Sequence, residues 1–320
     1  MAFPNVTDIV ATTIEKRSKR IQDNVTKNNA LLTYIKDKGN VRTFGGGSLI
    51  YEELSFAENS NAGWYAGYDL LPIAAQDVIS AAQFDIKQAA VPVVISGLDE
   101  LRNAGPEQMI DLMESRIKVA ESTMANLLAA GIYSDGTAAG GKQIVGLDAA
   151  VPVTPTTGTY GGIDRATWTF WRSVATNAGA LTSATIQGAM NAMWSGLVRG
   201  MDRPNLLVMD NLFWQMYMAS LQPQQRFTDP SKASLGFPTV KFMDADVVMD
   251  GGIGGFATAN TCFFLNTKFL HYRPHSKRNM VPLSPNKRYA INQDAEVQIL
   301  AWAGNMTSSG SQFQGRLIKT

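Results

Sequence analysis

Few residues in this chain combine the type and spacing that catalysis, metal binding or nucleotide binding demands. Gly252-Ile253-Gly254-Gly255-Phe256-Ala257 reads G-x-G-x-x-A and comes after the apolar run Val247-Val248-Met249. That order suits a strand delivering a dinucleotide's pyrophosphate to a helix N-terminus. The chemistry also needs a helix directly afterwards and an acid about 20 residues further on for the ribose. Here a β-like apolar run comes next, and the next acid is Asp294. The stretch is therefore expected to be a flexible strand connection, with a nucleotide-binding enzyme as the alternative it leaves open. His271 and His275, the only two histidines, are spaced so that one helix face would offer both rings to a metal. Pro274 lies between them and argues against a helix, so ordinary polar or core histidines are expected. Cys262 is the single cysteine and sits in the apolar run Cys262-Phe263-Phe264-Leu265, which points to a buried, inert thiol. No G-x-S-x-G elbow and no phosphate-binding Walker loop occurs, and no pair of carboxylates is singled out by its spacing. No catalytic residue, cofactor or metal is assigned, and no enzymatic activity is expected.

The elements that would position any site belong to a chain of 320 residues, enough for one large domain or two lobes. It is 45% hydrophobic and only 17% charged, against roughly 25% in soluble proteins, which fits surface that ends up against a partner. The net charge of +1 argues against a general polyanion binder, but the charges come in blocks. Residues 1–40 carry seven Lys/Arg and four Asp/Glu, with Lys16, Arg17, Lys19 and Arg20 clustered. From Thr43 to Ile86 there are acids, among them Glu52, Glu53, Glu58 and Asp69, and no Lys or Arg. From Gly251 to Gln293 there are bases and no acid. No leader opens the chain and no apolar run reaches the ~18 residues of a membrane span, so synthesis and retention in a reducing cytoplasm are expected.

Along the chain, Thr7 or Asp8 caps a predicted first helix that runs to about Lys36 and ends at Gly39. Its apolar positions are sparse, so it is expected to bury little in its own domain and to lie on a neighbour as an arm. A strand is predicted over Ser48–Phe56 and an extended return over Ala81–Ser96. Between them lies a connection far longer than an ordinary hairpin loop, and it carries Trp64, Tyr65 and Tyr68. Aromatics on such a loop mark an interface. Gly105-Pro106-Glu107 starts a long helix with an apolar stripe through Ile117, Ala120, Met124 and Leu127/Leu128, closed by Gly131. A Gly-, Thr- and Pro-rich stretch extends from Gly136 to Gly162. Then come a helix over 183–199, a buried strand over 205–209, a helix capped by Asp210 or Asn211 and running through Met218 or Leu221, and extended segments at 239–249, 261–272 and 295–302. Both element types occur without regular alternation, so the fold class is α+β.

This order of parts resembles the HK97-like major capsid proteins of tailed double-stranded DNA bacteriophages. Three stretches also resemble the wording of phage coat sequences: Gly141–Asp148, Gly162–Arg172, and Trp302–Met306 leading to Gln314–Ile318. The resemblance implies an N-terminal arm (1–40), an E-loop (41–90), a P-domain (91–140 and 268–320) with a long spine helix, and an A-domain (141–267). It further implies a structural subunit that self-assembles into hexamers and pentamers around packaged DNA, located in the virion and assembled in the host cytoplasm. The implied partners are other copies of itself, a portal, a possible decoration protein, a separate scaffolding protein (since no N-terminal scaffold extension is present if Met1 starts the product), and non-specific contact with DNA. An encapsulin-type nanocompartment shell is the alternative with the same fold. Some relatives lock their shells with an isopeptide bond from an E-loop lysine. This chain has no lysine between Gly39 and Ile86, which implies non-covalent shells. The expected inter-subunit contacts pair Lys16, Arg17, Lys19 and Arg20 with Glu52, Glu53 and Glu58, beside Trp64, Tyr65 and Tyr68. Scaffold or DNA is the other expected destination for the basic cluster.

Overall fold

The computed structural model describes residues 30–98, 106–221, 240–251, 255–283, 288–289 and 294–320. In chain order, helix α1 (Ala30–Asp37) is followed by strands β1 (Leu49–Ser55), β2 (Ile79–Asp85) and β3 (Lys87–Ser96), and then by the long helix α2 (Pro106–Tyr133). A single turn, α3 (Leu147–Ala150), and the two-residue strands β4 (Thr159–Tyr160) and β5 (Ile163–Asp164) lead to β6 (Val174–Asn177). Next come α4 (Ile186–Leu197), β7 (Leu206–Met209), α5 (Asn211–Leu221), β8 (Val240–Phe242), β9 (Ala245–Met249) and β10 (Thr261–Leu265). The chain closes with β11 (Leu270–Pro282), β12 (Arg288–Tyr289), β13 (Ala295–Ser308) and β14 (Gly315–Ile318).

Two sheets organise the molecule. In the first, β13 is central, with β3 antiparallel along one edge from Ala295 to Gly304 and β12 followed by β11 along the other. Gly304 is required at the centre. A Cβ there would stand 2.4 Å from the Arg273 carbonyl oxygen and 2.7 Å from the Trp302 ring. The second sheet has the order β6-β14-β10-β7-β9-β8 and packs on both faces. Alternation within its two innermost strands divides the cores. Leu206, Val208, Phe263 and Leu265 join the core built on α2 and the first sheet. Leu207, Met209, Cys262 and Phe264 join a second core under α4 and α5. This explains why β7 and β10 read as unbroken apolar runs. Asp210 caps α5 by accepting from the Phe213 amide at 2.8 Å, one of the two capping residues expected.

Three sequence expectations change. Helix α1, within the stretch predicted as a polar arm, is not polar, since Leu31, Leu32 and Ile35 are all buried, and it docks on its own chain. It ends as expected at Gly39, which takes φ +72°. The long helix does not stop at Gly131 but continues to Tyr133, giving 28 residues and about 42 Å. Gly131 serves close packing instead, because a Cβ there would lie 3.2 Å from the Ile144 side chain. Finally β14, grouped in sequence with the P-domain, sits inside the six-stranded sheet between β6 (parallel) and β10 (antiparallel). Pairing so distant in sequence leaves no local signal.

Candidate inter-subunit surface

The β1–β2 hairpin runs from Leu49 opposite Asp85 to Ser55 opposite Ile79. Strand parity turns Ile50, Glu52 and Leu54 inward with Ala82 and Phe84, and leaves Tyr51 and Ile79 exposed. The root is gripped from two sides. On one, the Gln83 amide donates to the Gly161 carbonyl at 2.8 Å, and Phe84 meets Tyr160 edge-to-face at 5.2 Å. Phe56 packs there with Trp168 and Phe170. On the other, Glu52 reaches the first sheet, where the Arg273 guanidinium donates to it at 2.7 Å and the Thr307 hydroxyl donates at 2.7 Å. Beyond Phe56, the tip of the hairpin, residues 57–77, packs on neither side of the root.

That tip is ordered by its own polar groups. Asp69 accepts from the Ala66 amide at 2.8 Å and Asn59 from the Asn61 amide at 3.0 Å, while the Asn61 side-chain amide donates to the Ala74 carbonyl. Its large apolar side chains face out. Trp64 and Tyr68 are as exposed as in an extended peptide (106% and 105%), and Tyr65, Leu70, Leu71 and Ile73 are exposed with them. A contiguous apolar group on a loop is the signature of a surface awaiting a partner. A second open apolar feature, a trough of about 410 Å³, lies between β3 and α2 and is lined mainly by Val91, Val93, Val94, Val119 and Ala120.

The structure brings the expected contact residues only partly together. Trp64, Tyr65, Tyr68, Glu53 and Glu58 share the exposed hairpin. Glu52 is a correction: at 4% exposure it is an intramolecular partner of Arg273 and is not available to a neighbour. Its inward parity, between Ile50 and Leu54, is the signal that could have placed it. Lys16, Arg17, Lys19 and Arg20 lie outside the described residues.

The residues considered for chemistry are accounted for differently. Cys262 is fully buried, and burial pushes its thiol well above the ordinary range. His271 is buried in β11, whereas His275 packs edge-to-face on Phe44. Among the described residues no three His, Cys, Asp or Glu side chains are grouped to hold a metal ion. Gly252, Ile253 and Gly254 lie outside the described residues, and the next regular element after Ala257 is strand β10 rather than the helix a pyrophosphate requires. Among the buried polar links that sequence reasoning missed is one between β14 and α3. The Arg316 guanidinium of β14 donates to Asp148 of α3 at 2.8 Å, and the Asp148 carboxyl is pushed up by burial against the opposing field of Arg316. Among the described residues no helix is long and apolar enough to cross a membrane.

No family model and no curated protein matches the chain. Solved structures do. The capsid asymmetric unit of cyanophage A-1(L) is 16% identical, with 88% of this chain and 90% of that one covered at a TM-score of 0.63. The capsid of a native GTA particle is 11% identical, covers 89% and 90%, and gives 0.58. The capsid of Myoviridae phage XM1 is 11% identical, covers 88% and 90%, and gives 0.52. The architecture of this chain is therefore that of the phage capsid proteins. It is the HK97-like α+β fold.

Proposed function

We propose that this chain is the major capsid protein of a tailed double-stranded DNA phage, a structural and non-catalytic subunit that assembles into hexamers and pentamers around the genome. The observation that carries the reading is the exposed aromatic tip of a hairpin whose root is fixed to its own subunit. A monomer gains nothing from holding Trp64 and Tyr68 in water, whereas a shell would cover them. Residues 1–40 are read as the arm and 41–90 as the E-loop. The P-domain is 91–140 with 268 onward, and the A-domain is 141–267, now with β14 added to its sheet. The other partners in this reading are a separate scaffold, a portal, a possible decoration protein and packaged DNA, and the location is the virion after assembly in the host cytoplasm.

Electron microscopy and light scattering of the purified chain, with and without scaffold, test this. Capsomers or closed particles are expected, and native particles should hold DNA rather than an enzyme cargo. A compact monomer of 34.7 kDa at high concentration under every condition would overturn the proposal. The shell is also expected to be non-covalent. The hairpin has no lysine from Gly39 to Ile86, and the chain's only cysteine is buried. Boiling mature particles in SDS should release single subunits; a ladder of higher species would contradict it.

A further inference from the structure

We infer that Glu52, Arg273 and His271 form a proton-sensitive clamp that fixes the root of the β1–β2 hairpin to the β11–β13 sheet and loosens on acidification. Three elements converge on it. From β1 comes the Glu52 carboxylate, 4% exposed; from β11 come Arg273 and His271; from β13 comes Thr307. Arg273 Nε and the Thr307 hydroxyl both donate to Glu52 Oε1 at 2.7 Å, and Arg273 Nη2 lies 2.7 Å from the same oxygen. These contacts join β1 to the first sheet. His271 is 2% exposed, and neither of its ring nitrogens has a hydrogen-bond partner.

The charges facing the ring are Glu52 from β1, Arg273 from its own strand and Arg42 from the segment that runs beside β11. Val41 and Phe44 bridge Tyr272 and His275 there, which holds Arg42 in place. The Tyr160 hydroxyl, also within the field of Glu52, is buried and without a partner. Glu52 is thus already paired with the Arg273 guanidinium, and the Arg42 guanidinium also lies within the field of the ring. Protonating the imidazole would add a third cation around a single buried anion and create an N–H with no acceptor. Burial outweighs the attraction of Glu52, with Arg42 and Arg273 adding to it, and holds the ring down at about 4 from the ordinary 6.5. The folded clamp therefore favours neutral His271, so its contribution is complete above about pH 6.5 and is lost as pH falls towards about 4. A charged ring can be satisfied by drawing Glu52 away from Arg273 or by reaching water, and either route parts β1 from the sheet.

Hydrogen–deuterium exchange of the full chain at low concentration, corrected for intrinsic rates, tests the clamp. Linkage between about 6.5 in the open state and about 4 in the closed one predicts a roughly 25-fold rise in opening of residues 49–55 and 79–85 between about pH 7.5 and about pH 5. Residues 186–197, in the separate second core, serve as the reference. His271→Gln and His271→Leu should abolish the rise, His275→Gln should retain it, and Glu52→Gln should raise exchange already at neutral pH. No hairpin-specific rise in the wild type, or the same rise in both His271 variants, overturns the clamp. The wild-type measurement alone decides if a variant fails to fold, and none of these readouts depends on whether the chain builds a shell.

Discussion

Replacing Trp64, Tyr65 and Tyr68 together by serine should leave the isolated subunit as stable as before and abolish particle formation. All three side chains are exposed on the hairpin tip and contribute to neither core. Surface changes of this kind shift folding by no more than about 0.5 kcal/mol. An aromatic side chain buried against a neighbour removes roughly 150–250 Å² from water, at about 25 cal/mol per Å². Even half-covered, the trio is worth about 6 kcal/mol per contact, or about four powers of ten in the association constant between subunits. A shell repeats that loss at every contact, so the effect is multiplied rather than diluted. Chemical denaturation should give the wild-type midpoint, and sedimentation should find no particles. Loss of subunit stability would instead place the tip within its own fold, and unimpaired assembly would remove it from the interface.

The opposite pattern is expected of Trp302→Ala. Trp302 is 1% exposed at the middle of β13, stacks on Tyr272 with ring centroids 5.9 Å apart, and lies against the position where Gly304 must lack a side chain. Removing an indole from such a site costs about 3–5 kcal/mol, a large share of a typical stability of about 5–15 kcal/mol. Urea unfolding should show the midpoint falling accordingly, with assembly lost only because folded subunits are scarce. A loss under about 1 kcal/mol would mean that the sheet around β13 tolerates a void there, contrary to ordinary core packing.

Legibility in the sequence depends on which interactions are local. Pro106 at the first turn and the stripe through Ile117, Ala120 and Met124 specify α2 because both rest on spacings within one helix. The continuous apolar runs of β7 and β10 are explained by cores on both faces. Glu52 is misplaced when its charge is weighed and its parity is not, although Ile50 and Leu54 on either side share its face. The burial of α1 and the insertion of β14 depend on partners far along the chain, Arg316 of β14 pairing with Phe263 and Ala175 for instance, and no short-range pattern encodes such choices. The exposed aromatics stand out by composition alone, and in the proposed shell the surface that covers them belongs to another subunit.

The placement of the last two strands has a consequence for biosynthesis. β13 is the central strand of one sheet, and β14 lies inside the other, between β6 and β10. A ribosome delivers both after every strand they pair with. Until then each sheet lacks an interior strand, and the contacts that close it span most of the chain, the kind of topology that folds late and slowly. A nascent chain therefore cannot complete either sheet, nor give the hairpin its Thr307 anchor, until these strands have emerged from the ribosome. Chains on neighbouring ribosomes of one messenger are crowded enough to associate prematurely, and this order of synthesis keeps both sheets open until β13 and β14 have been made.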